Sequence, residues 1–135
     1  MNDRAFFDTN ILVYSIGQAG ERSEIVEALL AQGGYVSVQV LNEFASVARR
    51  KLGLTWQEVS DALAAIRVLC HPVLALRLAT HESALRIGTR YGYSICDSLI
   101  LASAMEARCT TLYSEDLNAG QAVDDQLTIR NPFQV

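Results

Sequence analysis

Ala5-Phe6-Phe7-Asp8-Thr9-Asn10 is the stretch from which the fold is read. Three apolar residues end on an acid, and polar residues able to start a helix follow at once. A short apolar run without polar alternation is the mark of a strand covered on both faces. An acid at its carboxyl end stands where open α/β sheets bind their ligands. The same pattern returns near the other end of the chain, where Thr111-Leu112-Tyr113 runs into Ser114-Glu115-Asp116. If these two strands lie side by side in a parallel sheet, Asp8 and Asp116 face one crevice.

Working outward, the sequence between them is mostly helical. Residues 10–17 are expected to form a short helix, and residues 21–32 a longer one with Ile25, Leu29 and Leu30 on one face. Gly33-Gly34 marks a turn. Residues 35–38 are β-branched and aromatic and read as a strand. Val40, Leu41, Phe44, Val47 and Ala48 recur at three and four, which predicts a helix over 39–52. Thr55 followed by Glu58 has capping-box spacing and opens a helix over 55–69. Residues 73–76 read as a strand and 77–90 as a helix ended by Gly92. The helix predicted over 94–108 is apolar on most sides and therefore central. Residues 127–129 make a last short strand. Strands alternating with helices imply a three-layer α/β/α architecture with a short, mainly parallel central sheet. The 135 residues show no repeat, linker or low-complexity tract, so a single domain over 1–135 is expected.

Composition narrows the chemistry. Half of the residues are hydrophobic, enough for a packed core and too many for a disordered chain. The formal net charge is −4, opposite to that of a simple basic nucleic-acid binder. Cys70, Cys96 and Cys109 are odd in number and form no C-x-x-C, which argues against a disulfide framework or a zinc ribbon. His71 and His81 lack ligand spacing and read as ordinary loop or helix residues. No signal peptide fits Met1-Asn2-Asp3-Arg4, and no apolar run approaches the roughly 20 residues needed to cross a bilayer. The expected compartment is the reducing cytoplasm, with no membrane association.

Four acids stand apart from the solvated surface charges. Asp8 and Asp116 end strands. Glu43 has Val40 and Val47 at minus three and plus four, beside an apolar stripe. Asp97 lies in the first turn of the most apolar helix. Each has an ordinary explanation. Asp8 can cap the following helix. Asp97 sits three after Ser94, at capping-box spacing, where acids also suit the helix dipole. Glu43 can cover Val40 with its stem, and Asp116 can open a turn with Asn118. Four acids brought together at element ends would repel one another, at a cost no neighbouring lysine offsets, since Lys51 is the only one. A divalent cation resolves this, and oxygen-only donors favour Mg²⁺ or Mn²⁺ over zinc.

The motifs carrying these acids resemble those of PIN domains. Phe7-Asp8-Thr9-Asn10-Ile11-Leu12 is similar to the family's opening D-T-N. Asn42-Glu43-Phe44 resembles the second acid, Tyr93-Ser94-Ile95-Cys96-Asp97-Ser98-Leu99-Ile100 the third, and Leu112-Tyr113-Ser114-Glu115-Asp116-Leu117 the fourth. Asn131-Pro132-Phe133 looks like the close of VapC-type toxins. The resemblance spans almost the whole chain. Cys96 departs from it, standing where many relatives carry an aromatic. Glu115 competes with Asp116 for the fourth place, which goes to Asp116 because the family acid follows Ser or Thr by two.

The resemblance implies a metal-dependent endoribonuclease that hydrolyses single-stranded or looped RNA to 5′-phosphate and 3′-hydroxyl ends. Asp8, Glu43 and Asp97 would hold the principal Mg²⁺ or Mn²⁺, and Asp116 a second ion or its water, giving one or two ions per site. Thr9, Asn10 and Ser114 would orient those acids. Setting aside the four carboxylates brings the formal charge from −4 to 0, and Arg49, Arg50, Lys51, Arg86 and Arg90 are candidates for RNA contact. Arg49-Arg50-Lys51 also has a plain reading as charge suited to a helix C-terminus. Size suggests the toxin of a type II toxin–antitoxin pair, a homodimer with a small cognate antitoxin docking on the helix of Trp56. Two other readings are a phosphatase using Asp8 as nucleophile and a PIN-like module that binds RNA or a partner without cutting. Phosphatases of that kind carry a second Asp two places on, where this chain has Asn10.

Overall fold

The sheet grows from the two acid-ended strands. In the computed structural model, which describes residues 4–17 and 20–134, β1 (Ala5–Phe7) pairs in parallel with β2 (Thr111–Tyr113), Phe6 opposite Leu112. β2 pairs in parallel with β4 (Leu127–Arg130), and the two-residue β3 (Ala122–Val123) adds an antiparallel edge. The order is β1-β2-β4-β3. Phe6, Phe7, Leu112, Leu127 and Ile129 are buried; burial runs on unbroken from Phe6 to Phe7 in β1 and alternates along β2 and β4. Residues 1–3, read above for a signal peptide, lie outside the described residues.

The first helix, expected over 10–17, is only α1 (Thr9–Val13), with turns over 14–16; the others fall close to their expected bounds: α2 (Glu21–Ala31), α3 (Val38–Arg50), α4 (Trp56–Leu69), α5 (Leu78–Tyr91) and α6 (Ile95–Glu106). On α2 the buried positions are Ser23, Val26 and Leu30; Ile25 and Leu29 are only partly covered. The Thr55–Glu58 capping box forms in both directions, at 3.1 and 3.0 Å. Gly92 ends α5 with φ of 81°, a left-handed conformation that glycine takes without strain. α6 is the central helix, with Ser98 and Ile100–Ala104 buried, and it packs against α5.

Two expected strands shrink to single bridges. Tyr35 pairs with Phe6, and Ser37 pairs with Leu74. The first stops short because Ser37 turns into the N-cap of α3, its hydroxyl accepting from Val40 N–H. The second is held at Leu74 alone, whose N–H donates to Val36 and whose carbonyl accepts from Val38. The turn at Gly34 lies hard against β1: a Cβ there would stand 2.4 Å from the Phe7 ring. β3 was not expected from the sequence. It forms because Asp124 and Asp125 both take positive φ (51° and 55°), the backbone of a tight hairpin turn. Among the described residues no helix is long and apolar enough to cross a membrane.

Candidate metal centre

Asp8 leaves β1 at the sheet's carboxyl edge, its N–H donating to Tyr113 on neighbouring β2 at 3.0 Å. The adjacency inferred for the two strands is therefore met. Asp8 is only 4% exposed. One carboxylate oxygen accepts from Thr9 N–H at 2.7 Å, which is the helix cap. The other faces across the strands, accepting from Ser114 Oγ at 2.8 Å and Asn10 Nδ2 at 3.2 Å. The cap and the crevice thus use different oxygens.

Asn10 is the hub. Its Nδ2 also donates to Asp116 at 3.1 Å and lies 3.4 Å from Ser114 Oγ, while its Oδ1 accepts from Glu115 N–H at 3.0 Å. Ser114 Oγ accepts from Asp116 and Leu117 N–H, so one buried hydroxyl fixes the turn that presents Asp116 and holds Asp8. Thr9 Oγ1 donates to half-buried Glu43 on α3 at 3.4 Å. Asp97 N–H donates to Ser94, but the reciprocal half of the capping box does not form. Among the described residues no hydrogen bond reaches the Asp97 carboxylate. Asp116 makes no turn bond to Asn118; its carboxylate instead receives Asn10.

Asp8, Glu43, Asp97 and Asp116 line one cavity of about 430 Å³, together with Thr9, Asn10 and Lys51. Burial pushes the Asp8 carboxyl up to about 6, against the lowering hydrogen bonds from Ser114 and Thr9; the charges of Asp97 and Asp116 raise it further. Glu43 is raised mainly by burial, then by the charges of Asp8 and Asp97. The acids therefore act on one another as a single repelling set. This donor set fits a hard divalent cation, because it offers oxygens alone and excess negative charge. Among the described residues no three His, Cys, Asp or Glu side chains are arranged to hold an ion by themselves.

The candidate RNA contacts divide. Lys51 lines the acid cavity. Arg49 is turned to the Leu54 carbonyl, at 2.9 Å, and over the Trp56 ring. Arg50 is exposed at the end of α3. Arg86 and Arg90 line a separate cavity between α5 and α6, with Arg90 paired to Asp124 at 3.3 Å. Tyr14 and Glu115 also line the acid cavity. Tyr14 carried no signal in the sequence, since only folding brings the end of α1 beside the loop after β2. Glu115 is not equivalent to Asp116: it is paired with Arg22 and accepts from Tyr14, whereas Asp116 is held by Asn10.

No curated protein sequence matches the chain significantly. Solved structures do. Mycobacterium tuberculosis VapC20, described as a sarcin-ricin loop cleaving toxin, is 22% identical, with a TM-score of 0.67 over 83% of this chain and 89% of that one. A toxin–antitoxin complex from Klebsiella pneumoniae is 19% identical, with a TM-score of 0.72 over 97% and 99%. VapBC2 from Rickettsia felis, bound to a DNA fragment from its promoter, is 18% identical, with a TM-score of 0.70 over 94% and 97%. At these identities the likeness is one of fold. The PIN domain family itself matches residues 5–123, a span that holds all four acids. With that match over most of its length, the chain belongs to the PIN domain family.

Proposed function

We propose that this protein is a divalent-metal-dependent endoribonuclease, the toxin of a toxin–antitoxin pair. The observation that carries the reading is the meeting of four acids from four separate segments in one cavity at the carboxyl ends of adjacent parallel strands. In it Asp8, Glu43 and Asp97 hold the principal Mg²⁺ or Mn²⁺, and Asp116 a second ion or its water. Bound cations of this kind lower the pKa of water and stabilise the oxygens of an in-line displacement at phosphorus. Ser114 and Asn10 fix the Asp8 and Asp116 carboxylates, and Thr9 steadies Glu43. Lys51 supplies positive charge for an RNA phosphate at the cavity wall.

An apolar groove of about 270 Å³ between α2 and α4, lined by Ile16, Leu30, Ala62, Ile66 and Leu69, suits an apolar segment of a small antitoxin. The solved relatives include toxins in complex with antitoxins, which supports that partner. The protein is taken to act in the cytoplasm, as a homodimer. A phosphatase using Asp8 is less well supported. Asn10 stands where its general acid would be, and an amide donating to both Asp8 and Asp116 has no proton to give a leaving group.

The test is to incubate purified protein with single-stranded and structured RNA in Mg²⁺ or Mn²⁺, beside a small phosphomonoester. Internal cuts bearing 5′-phosphate and 3′-hydroxyl ends are expected. Release of phosphate from the monoester with RNA left whole would overturn the reading.

A further inference from the structure

The acid cavity has a fifth carboxylate, Glu115, and the fold restrains it. Both of its oxygens accept from the Tyr14 hydroxyl, at 3.0 and 2.8 Å, and Arg22 of α2 pairs with one of them. Arg22 also donates to the Tyr14 hydroxyl at 3.0 Å. Its guanidinium lies 4.7 Å from the Phe133 ring centre and 5.8 Å from that of Tyr14, and those two rings meet edge to face at 4.9 Å. Two aromatic faces and two acceptors thus hold one planar cation, an arrangement a lysine ammonium would not reproduce. Among the described residues, Glu115 alone of the five acids in the cavity has a cationic partner within salt-bridge distance.

Resting on the metal-centre reading, we propose that Arg22 is a positioning residue that, with Tyr14, holds Glu115 out of the cation's ligand set. Carboxylate count sets how tightly a hard cation is held. A catalytic site must also keep a coordination position open for water or substrate. A fifth carboxylate would tighten the ion and fill that position. Arg22 prevents this by giving Glu115 a different partner.

The test is Mn²⁺ binding by calorimetry to the full-length protein, as wild type, Arg22→Gln, Glu115→Gln, the double variant and Tyr14→Phe. Arg22→Gln is expected to tighten Mn²⁺ binding roughly fivefold or more, Tyr14→Phe to shift it the same way by less, and the double variant to return to the Glu115→Gln value. Unchanged or weaker binding by Arg22→Gln overturns the proposal. So does a gain that persists in the Glu115→Gln background, because Arg22 would then act through its charge alone. If Arg22→Gln does not fold, Tyr14→Phe decides, and unchanged binding there overturns the proposal. Wild-type protein that binds no Mn²⁺ overturns the metal centre, and this inference with it. Normal wild-type binding with unresponsive variants overturns this inference only.

Discussion

Asp97 separates the two roles that an acid at a helix start can play. A capping acid stabilises its helix through the dipole by roughly 0.3–1 kcal/mol, and Asn would forfeit part of that. The Asp97 carboxylate leaves the capping box half-made and lines a cavity with three other acids. Asp97→Asn is therefore expected to cut RNA cleavage by more than about 100-fold, while the metal-free protein stays as stable or becomes more so. Thermal melts in EDTA read the second half, and a clear loss of stability with cleavage retained would make Asp97 a cap. Asp8 gives a pH signature in the same metal-free protein. Its folded carboxyl titrates at about 6 against an ordinary 3.8, so between those values the folded state holds a proton that the unfolded chain has lost. The stabilising contribution is complete below about 3.8 and disappears as pH rises through about 6. It amounts to roughly 2–3 kcal/mol. Melting in EDTA should thus fall from pH 5 to pH 7.5 through this group, and Asp8→Asn should flatten that slope. A slope identical in the variant would assign it elsewhere.

At the level of elements, the helices were legible because each carries its own periodicity and punctuation. Thr55 and Glu58 announce α4, and Gly92 ends α5. The strands were legible where their apolar residues enter the core, as in β1, β2 and β4. Over 35–38 and 73–76 the composition is right for strand, but Ser37 is taken by the cap of α3 and the ladder stops. β3 depends on Asp124 and Asp125 adopting a conformation usually left to Asn or Gly, so its turn carried no strong signal. The α4 face matters for partners. Ala65 is exposed on the groove between α2 and α4. Ala65→Glu puts a charge into an apolar docking surface and should abolish relief of toxicity by the co-expressed antitoxin while RNA cleavage by the free protein is unchanged. Growth rescue equal to wild type would place the antitoxin elsewhere.

Across the whole molecule, the candidate site was legible as a set of residues and not as a geometry. Motif order pointed to Asp8, Glu43, Asp97 and Asp116, and the fold brings all four to one cavity. What the sequence did not contain was the division of labour around them. Asn10 links the carboxylates of Asp8 and Asp116, which come from opposite ends of the chain, and Glu115 is drawn away by Arg22 from a different helix. Such roles arise from long-range packing and have no local pattern. The same holds for the basic residues: Lys51 reaches the cavity, while Arg86 and Arg90, equally plausible by composition, belong to another face.

Under the proposed function, the clustered carboxylates cut RNA only when they hold a divalent cation. The measurement that tests this most directly is cleavage of a defined RNA by the purified protein in EDTA, followed by restoration with excess Mg²⁺ or Mn²⁺, with Asp97→Asn run beside it to exclude a contaminating nuclease. No cleavage in EDTA, full recovery on adding either cation, and no cleavage by the variant under any of these conditions are expected. Cleavage that continues in EDTA, with the variant inactive, would contradict the proposed function.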